Sequence, residues 1–314
     1  MSAHQPSLHE SVYGQNKLHS AMRERLVRRL HTSNRIAVAV LSIMTTLVVI
    51  GFLSIIVYLL VQGFPYLLNP DFYSSDPNTE ISILPQLYNT FYMLVLSEII
   101  LIPVSLAAAI YLVEYARQGL LVTSIHLAAE TLSSVPAIVL GLFGYLVFSS
   151  LLGFGYSRLS GALTLLCLNL PFALRLFEEA LTSVPRDLRE GGLALGCTRW
   201  QVIRTVVLPS AIPGIVTGII ISAGKVLAES AALIFTAGTL SPRHPYTLDP
   251  FIGSDTLTIH IWYVQTIGAG SYTSADAPTA IAGGSAALLI IALLLVNIGA
   301  RTIGRAIQRK VMAI

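Results

Sequence analysis

Long apolar runs, separated by short polar segments, dominate the chain. Six of these runs approach the ~20 residues that a helix needs to cross the ~30 Å hydrocarbon core of a bilayer. They lie at about 36–62, 88–113, 132–153, 160–180, 212–237 and 279–301. Six such runs cannot all be hidden in one soluble core. The pattern therefore predicts an all-α polytopic membrane protein with six transmembrane helices.

Composition agrees with this interpretation. Hydrophobic residues make up 54% and charged residues 11% of the 314 residues, whereas roughly 25% of an ordinary soluble domain is charged. The two cysteines, Cys167 and Cys197, fall in a predicted span and in a polar loop, and the histidines show no ligand spacing. We therefore expect no disulfide, no metal and no cofactor. A net charge of +3 gives no reason to expect a nucleic-acid partner.

The basic residues predict the orientation of the chain, because cytoplasmic segments of membrane proteins are enriched in Lys and Arg. Of the 19 lysines and arginines, all but four fall in the two tails, at the C-terminal end of the sixth span (Arg301), or in the loops after the second and fourth spans. The other four are Arg158 and Arg243 in the opposite loops and Arg175 and Lys225 within spans. Both termini are therefore predicted to be cytoplasmic, as 1–35 and 303–314, and the loop at 238–278 is predicted to cover the outer mouth without spanning.

One polar stretch interrupts the apolar pattern on the cytoplasmic side, "EGGLALGCTRWQVIRTVVLP" at 190–209. Pro185 suits the first turn of a helix, and Gly196 suits the left-handed residue that ends one. The first helix would carry one apolar face, formed by Leu188, Gly191, Gly192 and Leu195. A second short helix would start at Thr198, with Trp200, Ile203 and Val207 on one side. Two helices meeting at a glycine corner predict a blunt knob that docks into another protein.

This stretch resembles the loop signature of importer permeases of the ATP-binding cassette (ABC) superfamily, in which Glu-Ala-Ala is followed at fixed spacing by Gly, Ile and Leu-Pro. Glu190, Gly196, Leu208 and Pro209 match in register, and Val206 stands for the Ile. Gly191 and Gly192 replace both alanines, which softens the helix by ~1 kcal/mol per glycine. In that family the loop forms the coupling helices that dock on a cytoplasmic ATPase subunit.

Other segments narrow the resemblance to the A-type permease of phosphate importers of the Pst system. They are "SVPAIVLGLFGYLVFS", "LPFALRLFEEALTSVPRDLREGG" and "GKVLAESAALIFTAG". The resemblance covers about residues 86–302, with the coupling loop at about 183–209, and leaves a first span at 36–62. It implies a type I ABC importer permease fold in the bacterial inner membrane. The implied partners are a C-type permease subunit, two ATPase subunits, an extracytoplasmic phosphate-binding protein and inorganic phosphate.

Charged residues inside the predicted spans suggest an anion path. A charge at the bilayer centre costs about 2.5–3.5 kcal/mol on insertion scales, so such residues pair or line an aqueous route. Arg175 and Glu178 are spaced i, i+3, and Lys225 and Glu229 are spaced i, i+4. One interpretation is two self-contained pairs that hold the bundle together. The other is that phosphate competes for the Arg and the Lys. The family usually has Arg at the position of Lys225, which makes a bidentate contact doubtful there.

Two further acidic residues and three prolines lie in or near the predicted spans. Glu98 is predicted as a lipid-shielded carboxyl that faces another helix, and Glu130 as a solvated or capping residue at the membrane edge. Pro103, Pro136 and Pro171 are predicted to kink their spans.

Three classes of function follow. The chain lacks the GxxxxGK[ST] phosphate-binding loop, so we expect a transport permease without catalytic residues, with ATP hydrolysed by partner subunits. A membrane enzyme would need a catalytic dyad or metal cluster within the spans. A subunit with a mainly phosphate-signalling role is the third possibility. Among transport substrates, phosphonate, sulfate and molybdate are the alternatives to phosphate.

Overall fold

The computed structural model describes residues 8–76, 79–242, 244–268, 270, 272–274 and 276–312, with side-chain burial from residue 34 onward except at 300, 303 and 306–312. The ends of both predicted tails, 1–7 and 313–314, and Arg243 lie outside these residues. Within the described part of the chain every regular element is helical. The helices are α1 (Leu8–Leu67), α2 (Leu84–Ile110), α3 (Leu120–Ser134), α4 (Ala137–Gly144), α5 (Arg158–Thr182), α6 (Arg186–Ala194), α7 (Arg199–Val202), α8 (Leu208–Ala228), α9 (Leu233–Thr236), α10 (Leu257–Thr266) and α11 (Ala277–Met312).

Among the described residues, five helical segments are long and apolar enough to cross a membrane, and a bent pair of helices adds a sixth if it counts as one span. The five are Asn34–Leu67, Leu84–Tyr115, Arg158–Thr182, Arg199–Ala228 and Ala277–Gly299. The all-helical class and the number of apolar segments agree with the sequence prediction.

The bounds predicted for the third span, 132–153, are wrong. A helix that the apolar pattern missed, α3, precedes it, and α3 bends by 102° into Ala137–Leu151 at Val135 and Pro136. Proline disfavours helical geometry at the residue before it, and Val135 accordingly has an extended backbone, with φ −71° and ψ 131°. Pro136 therefore breaks the span, whereas Pro103 and Pro171 stay inside α2 and α5.

The fifth predicted span, 212–237, begins earlier and ends earlier than expected. A π-helical turn, Ile203–Val207, joins α7 to α8, so that one helical segment runs from Arg199 to Ala228. The helix ends at Glu229, whose backbone is extended with ψ 132°. The predicted second coupling helix is therefore the first part of a membrane-spanning segment.

The chain forms two compact units, Met1–Tyr58 and Leu59–Ile314. The first is helical from Leu8, and from residue 34 its apolar side chains are exposed, as expected for a surface that meets lipid or a partner. In the second, α5 packs against α2, α3 and α8, and α11 packs against α8 and α10. A buried cluster where α2, α5 and α8 meet includes Leu101, Phe177, Leu181 and Ala211.

A buried arginine fixes the segment that follows α9. Arg158, at the first turn of α5, is fully buried and donates to the carbonyl oxygens of Pro245, Thr247 and Asp249 and to Asn89 Oδ1. Its guanidinium also lies 4.5 Å from the centre of the Tyr92 ring. This segment was predicted as a loop, and it contains one helix that the sequence did not reveal, α10, which at 10 residues is too short to span.

Candidate functional site

The predicted coupling loop contains the expected glycine corner. Its first helix, α6, begins directly after Pro185. Gly196 has a φ of +82°, in the left-handed region that glycine reaches without strain. Thr198 then starts α7 with a capping box, in which its side chain accepts from the Gln201 backbone and the Gln201 side chain accepts from the Thr198 backbone. The two short helical pieces therefore meet at Gly196.

The loop presents apolar side chains on its surface. Leu195 is 86% exposed and Trp200 54% exposed, and Leu188 and Leu193 are nearly half exposed. The predicted shared face of Trp200, Ile203 and Val207 divides, because Ile203 and Val207 are buried in the membrane-spanning body. The exposed part can meet a partner, while the buried part ties the loop to the spans.

The two adjacent glycines of the signature are not equivalent. A β-carbon at Gly191 would meet nothing within 4 Å, whereas one at Gly192 would lie 2.9 Å from Val202 Cγ2. Gly192 therefore allows α6 to approach α7, and Gly191 does not serve that purpose. Leu208 and Pro209 lie in the first turn of α8, directly after the π-helical turn, and Glu190 is exposed beside Arg186.

The charged residues of α5 do not pair with each other as predicted. Arg175 Nη2 lies 3.1 Å from Glu130 Oε1, and Glu178 Oε1 lies 3.1 Å from His126 Nε2. Both partners belong to α3, which packs along α5. The predicted ion pair between Arg175 and Glu178 is therefore wrong. Within a helix, a cation placed N-terminal to its carboxylate is also the less favourable order.

The predicted ion pair between Lys225 and Glu229 is also wrong, because α8 ends between the two residues. Lys225 lies in the last turn of α8, not in the middle of a span, and its Nζ is 4.7 Å from the centre of the Phe172 ring. The Glu229 carboxylate instead accepts from the Ala232 backbone N–H at 3.1 Å. Among the described residues no carboxylate lies within ion-pair distance of Lys225.

These residues line a polar groove. One cavity, of about 370 Å³, is bordered by His126, Glu130, Phe172, Arg175, Glu178 and Lys225. A second, of about 450 Å³, shares His126 and Glu178 with it and extends to Glu114, Gln118, Arg186, Arg189 and Glu190 beside α6. Three of the four predicted path residues thus come together, and Glu229 does not line either cavity. The first cavity carries two cations, Arg175 and Lys225, and two carboxylates, Glu130 and Glu178, and the second lies between it and the predicted coupling loop.

Sequence reasoning missed the role of α3 in this groove. His126 and Glu130 are four residues apart, so they share one face of a helix. Once the residues around them are assigned to a helix, this spacing indicates a polar face. Glu130, predicted as a solvated or capping residue, has a side chain that is 61% exposed and paired with Arg175. Glu98 agrees with its prediction, since it is buried and accepts from Ser222 Oγ of α8 at 2.7 Å.

Known proteins share both the sequence pattern and the fold. The family model of the binding-protein-dependent transport system inner membrane component matches residues 101–313. The chain is 42% identical over 238 residues to the "Probable ABC transporter permease protein YqgI" of Bacillus subtilis, covering 73% of this chain and 79% of that one. It is 37% identical over 168 residues to the "Phosphate transport system permease protein PstA 1" of Mycobacterium tuberculosis, covering 54% of each chain.

A solved structure shows the same fold at low identity. The crystal structure of a bacterial alginate ABC transporter in complex with an alginate-bound periplasmic protein contains a chain with a TM-score of 0.63 and 18% identity, covering 86% of this chain and 95% of that one. The apolar helices and the family match describe a multi-pass inner-membrane subunit of an ABC importer, distinct from its ATPase. The chain therefore belongs to the binding-protein-dependent transport system inner membrane components.

Proposed function

We propose that this chain is the A-type permease subunit of an ATP-driven importer of inorganic phosphate. The observation that carries the proposal is the polar groove, in which, among the described residues, Lys225 has no carboxylate partner and Arg175 is paired with one exposed carboxylate, Glu130. An arriving oxyanion gains charge-assisted hydrogen bonds from both cations. The name of the Mycobacterium tuberculosis relative favours phosphate over other oxyanions.

The two cations have different roles in this proposal. The Lys225 ammonium rests on the Phe172 ring, a contact with an aromatic face that a dianion outcompetes. The Arg175 guanidinium must leave Glu130 before both its donors can turn to the anion. Lys225 therefore supplies a point charge at the start, and Arg175 exchanges a carboxylate for phosphate oxygens. Glu229 orders the turn after α8 and does not contact the anion.

Transport requires partners that complete the groove and drive it. A C-type permease subunit forms the other half of the translocation path, and an extracytoplasmic binding protein delivers phosphate. One of two ATPase subunits binds the loop at 183–209 through the exposed apolar side chains of the loop, among them Leu195 and Trp200. ATP-driven closure of the ATPase pair moves this loop, and the spans alternate between inward- and outward-facing states.

We further propose how the chain divides into a permease domain, a first span and two tails, and which parts face the cytoplasm. The permease domain spans 86–302, with a first span at 36–62, and the tails 1–35 and 303–314 lie in the cytoplasm together with the coupling loop. The basic residues of the tails and of this loop support that orientation. The segment that carries α10 then lies outside, where a binding protein can reach it.

Transport by the intact complex tests the substrate. The complex is purified through a tag on this chain, reconstituted in liposomes with its binding protein, and given labelled phosphate with and without ATP. We expect ATP-dependent uptake that excess unlabelled phosphate suppresses and that excess sulfate, molybdate or a phosphonate does not. Uptake of one of those oxyanions in place of phosphate would contradict the assignment of phosphate as the substrate. ATP hydrolysis stimulated by phosphate, without any uptake, would instead support the phosphate-signalling role.

A further inference from the structure

The first coupling helix, α6, has no buried residue. Its apolar side chains point outward, so burial of apolar surface does not fix its direction relative to the spans. The close approach of Gly192 to Val202 holds α6 against α7. A separate contact must hold α6 against α5 and α2 if movement of the loop is to move those helices.

Arg189 makes that contact with three different hydrogen bonds. Its Nη1 donates to the Val184 carbonyl oxygen at 2.6 Å, and its Nη2 donates to the Leu181 carbonyl oxygen at 2.8 Å. Its Nε donates to Glu114 Oε1 at 3.0 Å. Leu181 and Val184 flank the end of α5, and Glu114 belongs to the π-helical turn Tyr111–Tyr115 that ends the second span. One guanidinium thus joins three elements.

The chemistry of this contact suits a rigid joint. The last carbonyl groups of a helix lack partners within it, and a cation near that end is favourable. The Arg189 and Glu114 side chains are only 18% and 12% exposed, so water screens this pair less than it screens the exposed Arg175–Glu130 pair. The fork of the guanidinium can satisfy several acceptors at fixed angles, which an ammonium cannot do.

We propose that Arg189 is the positioning residue that transmits movement of the coupling loop to α5 and to the end of the second span. The inference rests on the proposed function, since it describes how that importer is coupled to its ATPase. Without the three bonds, the coupling loop still docks on the ATPase through Leu188, Leu195 and Trp200, but α6 swings on the linker after α5. ATP is then hydrolysed with less transport.

Three variants of the intact complex test this role. Arg189→Met keeps the length of the side chain and removes all three bonds, and Arg189→Lys keeps the charge but cannot span the acceptors. Glu114→Gln keeps an acceptor and loses the ion pair. We expect the complex to assemble in each case. The phosphate transported per ATP should fall at least tenfold in both Arg189 variants and two- to fivefold in Glu114→Gln. Arg117→Met, at an exposed position that lines neither cavity and makes no hydrogen bond or ion pair among the described residues, is the matched control and should keep the ratio.

A measurement that does not depend on the substrate separates this inference from the proposed function. Spin labels are placed at Thr182→Cys on α5 and at the exposed position Ala194→Cys at the end of α6, with Cys167 and Cys197 replaced by Ser. We expect one narrow distance distribution in the parent complex and a broad one after Arg189→Met. A narrow distribution in the Arg189→Met complex, or an unchanged ratio of phosphate to ATP, overturns the role of Arg189. Absence of phosphate uptake by the parent complex contradicts the proposed function and leaves the distance test intact.

Discussion

The corner of the coupling loop depends on the backbone of one residue. Gly196 has a φ of +82°, and a β-carbon there would meet no atom within 4 Å. A side chain would therefore fit in space but not in conformation, because left-handed geometry costs about 1–2 kcal/mol for a residue with a β-carbon. The cost is greater for a β-branched residue.

Gly196→Val should leave the protein in the membrane and lower both ATPase recruitment and ATP-driven uptake, because the corner between α6 and α7 changes direction. Gly191→Ala is the control, since Gly191 is helical and faces open space, and alanine favours a helix by up to ~1 kcal/mol. Co-purification of the ATPase and uptake are measured together for both variants. Normal values of both for Gly196→Val would remove the support for the corner as part of the coupling site.

At the level of residues, the sequence predicted which charged side chains line the candidate site, but it did not predict their ion-pair partners. Arg175, Glu178 and Lys225 were chosen from their place in apolar segments, and all three line the groove. The partners of Arg175 and Glu178 are 45 and 52 residues away in the chain. Helical spacing reports only neighbours on the same helix, so contacts across two helices could not be read from it.

At the level of elements, apolar runs predicted the long helices and missed the broken one. The segment Leu120–Ser134 carries His126, Glu130 and several hydroxyl side chains, so its hydropathy signal is diluted, although it forms a helix. Its polar side lies along the groove opposite α5. The loss of apolar character that hid this helix is therefore also what makes it part of the candidate site.

The buried arginine at the start of α5 gives a prediction for the segment after α9. Arg158→Met removes donors from three carbonyl oxygens and from Asn89 while keeping most of the apolar stem. We expect a loss of stability on the order of 3 kcal/mol, given that a hydrogen bond to a charged group contributes about 1.5–3 kcal/mol. Arg158→Lys should not restore it, since an ammonium cannot reach the same acceptors.

Thermal unfolding in detergent and protease cleavage between residues 240 and 251 measure this effect. Arg301→Met is the control, because Arg301 is exposed and bonds to Asn297 within its own helix. An Arg158→Met protein with the melting temperature and protease resistance of the parent would show that this arginine does not anchor the segment.

At the level of the whole molecule, a native thiol tests the orientation. Cys197 is free and exposed in the coupling loop, and Cys167 is half-buried in α5. In a Cys167→Ser protein expressed without the ATPase, a membrane-impermeant maleimide should label Cys197 in inverted vesicles and not in intact cells. In a protein that lacks both native thiols, Leu240→Cys, at a position that is 65% exposed, should show the opposite result. The reverse pattern would place the coupling loop outside and invalidate the coupling proposal.

In the proposed transport path the groove carries the anion and Arg175 contacts it. Both side chains of the Arg175–Glu130 pair are more than 60% exposed in the isolated chain, and exposed ion pairs contribute only about 0–1 kcal/mol to stability. Removing the pair should therefore spare folding and assembly. Glu130→Gln alone frees Arg175 and should retain uptake, whereas Arg175→Gln removes a donor.

The decisive measurement is phosphate uptake per assembled complex in the double variant Arg175→Gln with Glu130→Gln. Neither side chain is left with an unpaired partner in this variant, so a structural pair predicts recovery of both assembly and uptake. We predict normal assembly with uptake at least tenfold below the parent, because the anion has lost its donor. Uptake at the parent level in the double variant would contradict the assignment of Arg175 to the anion path.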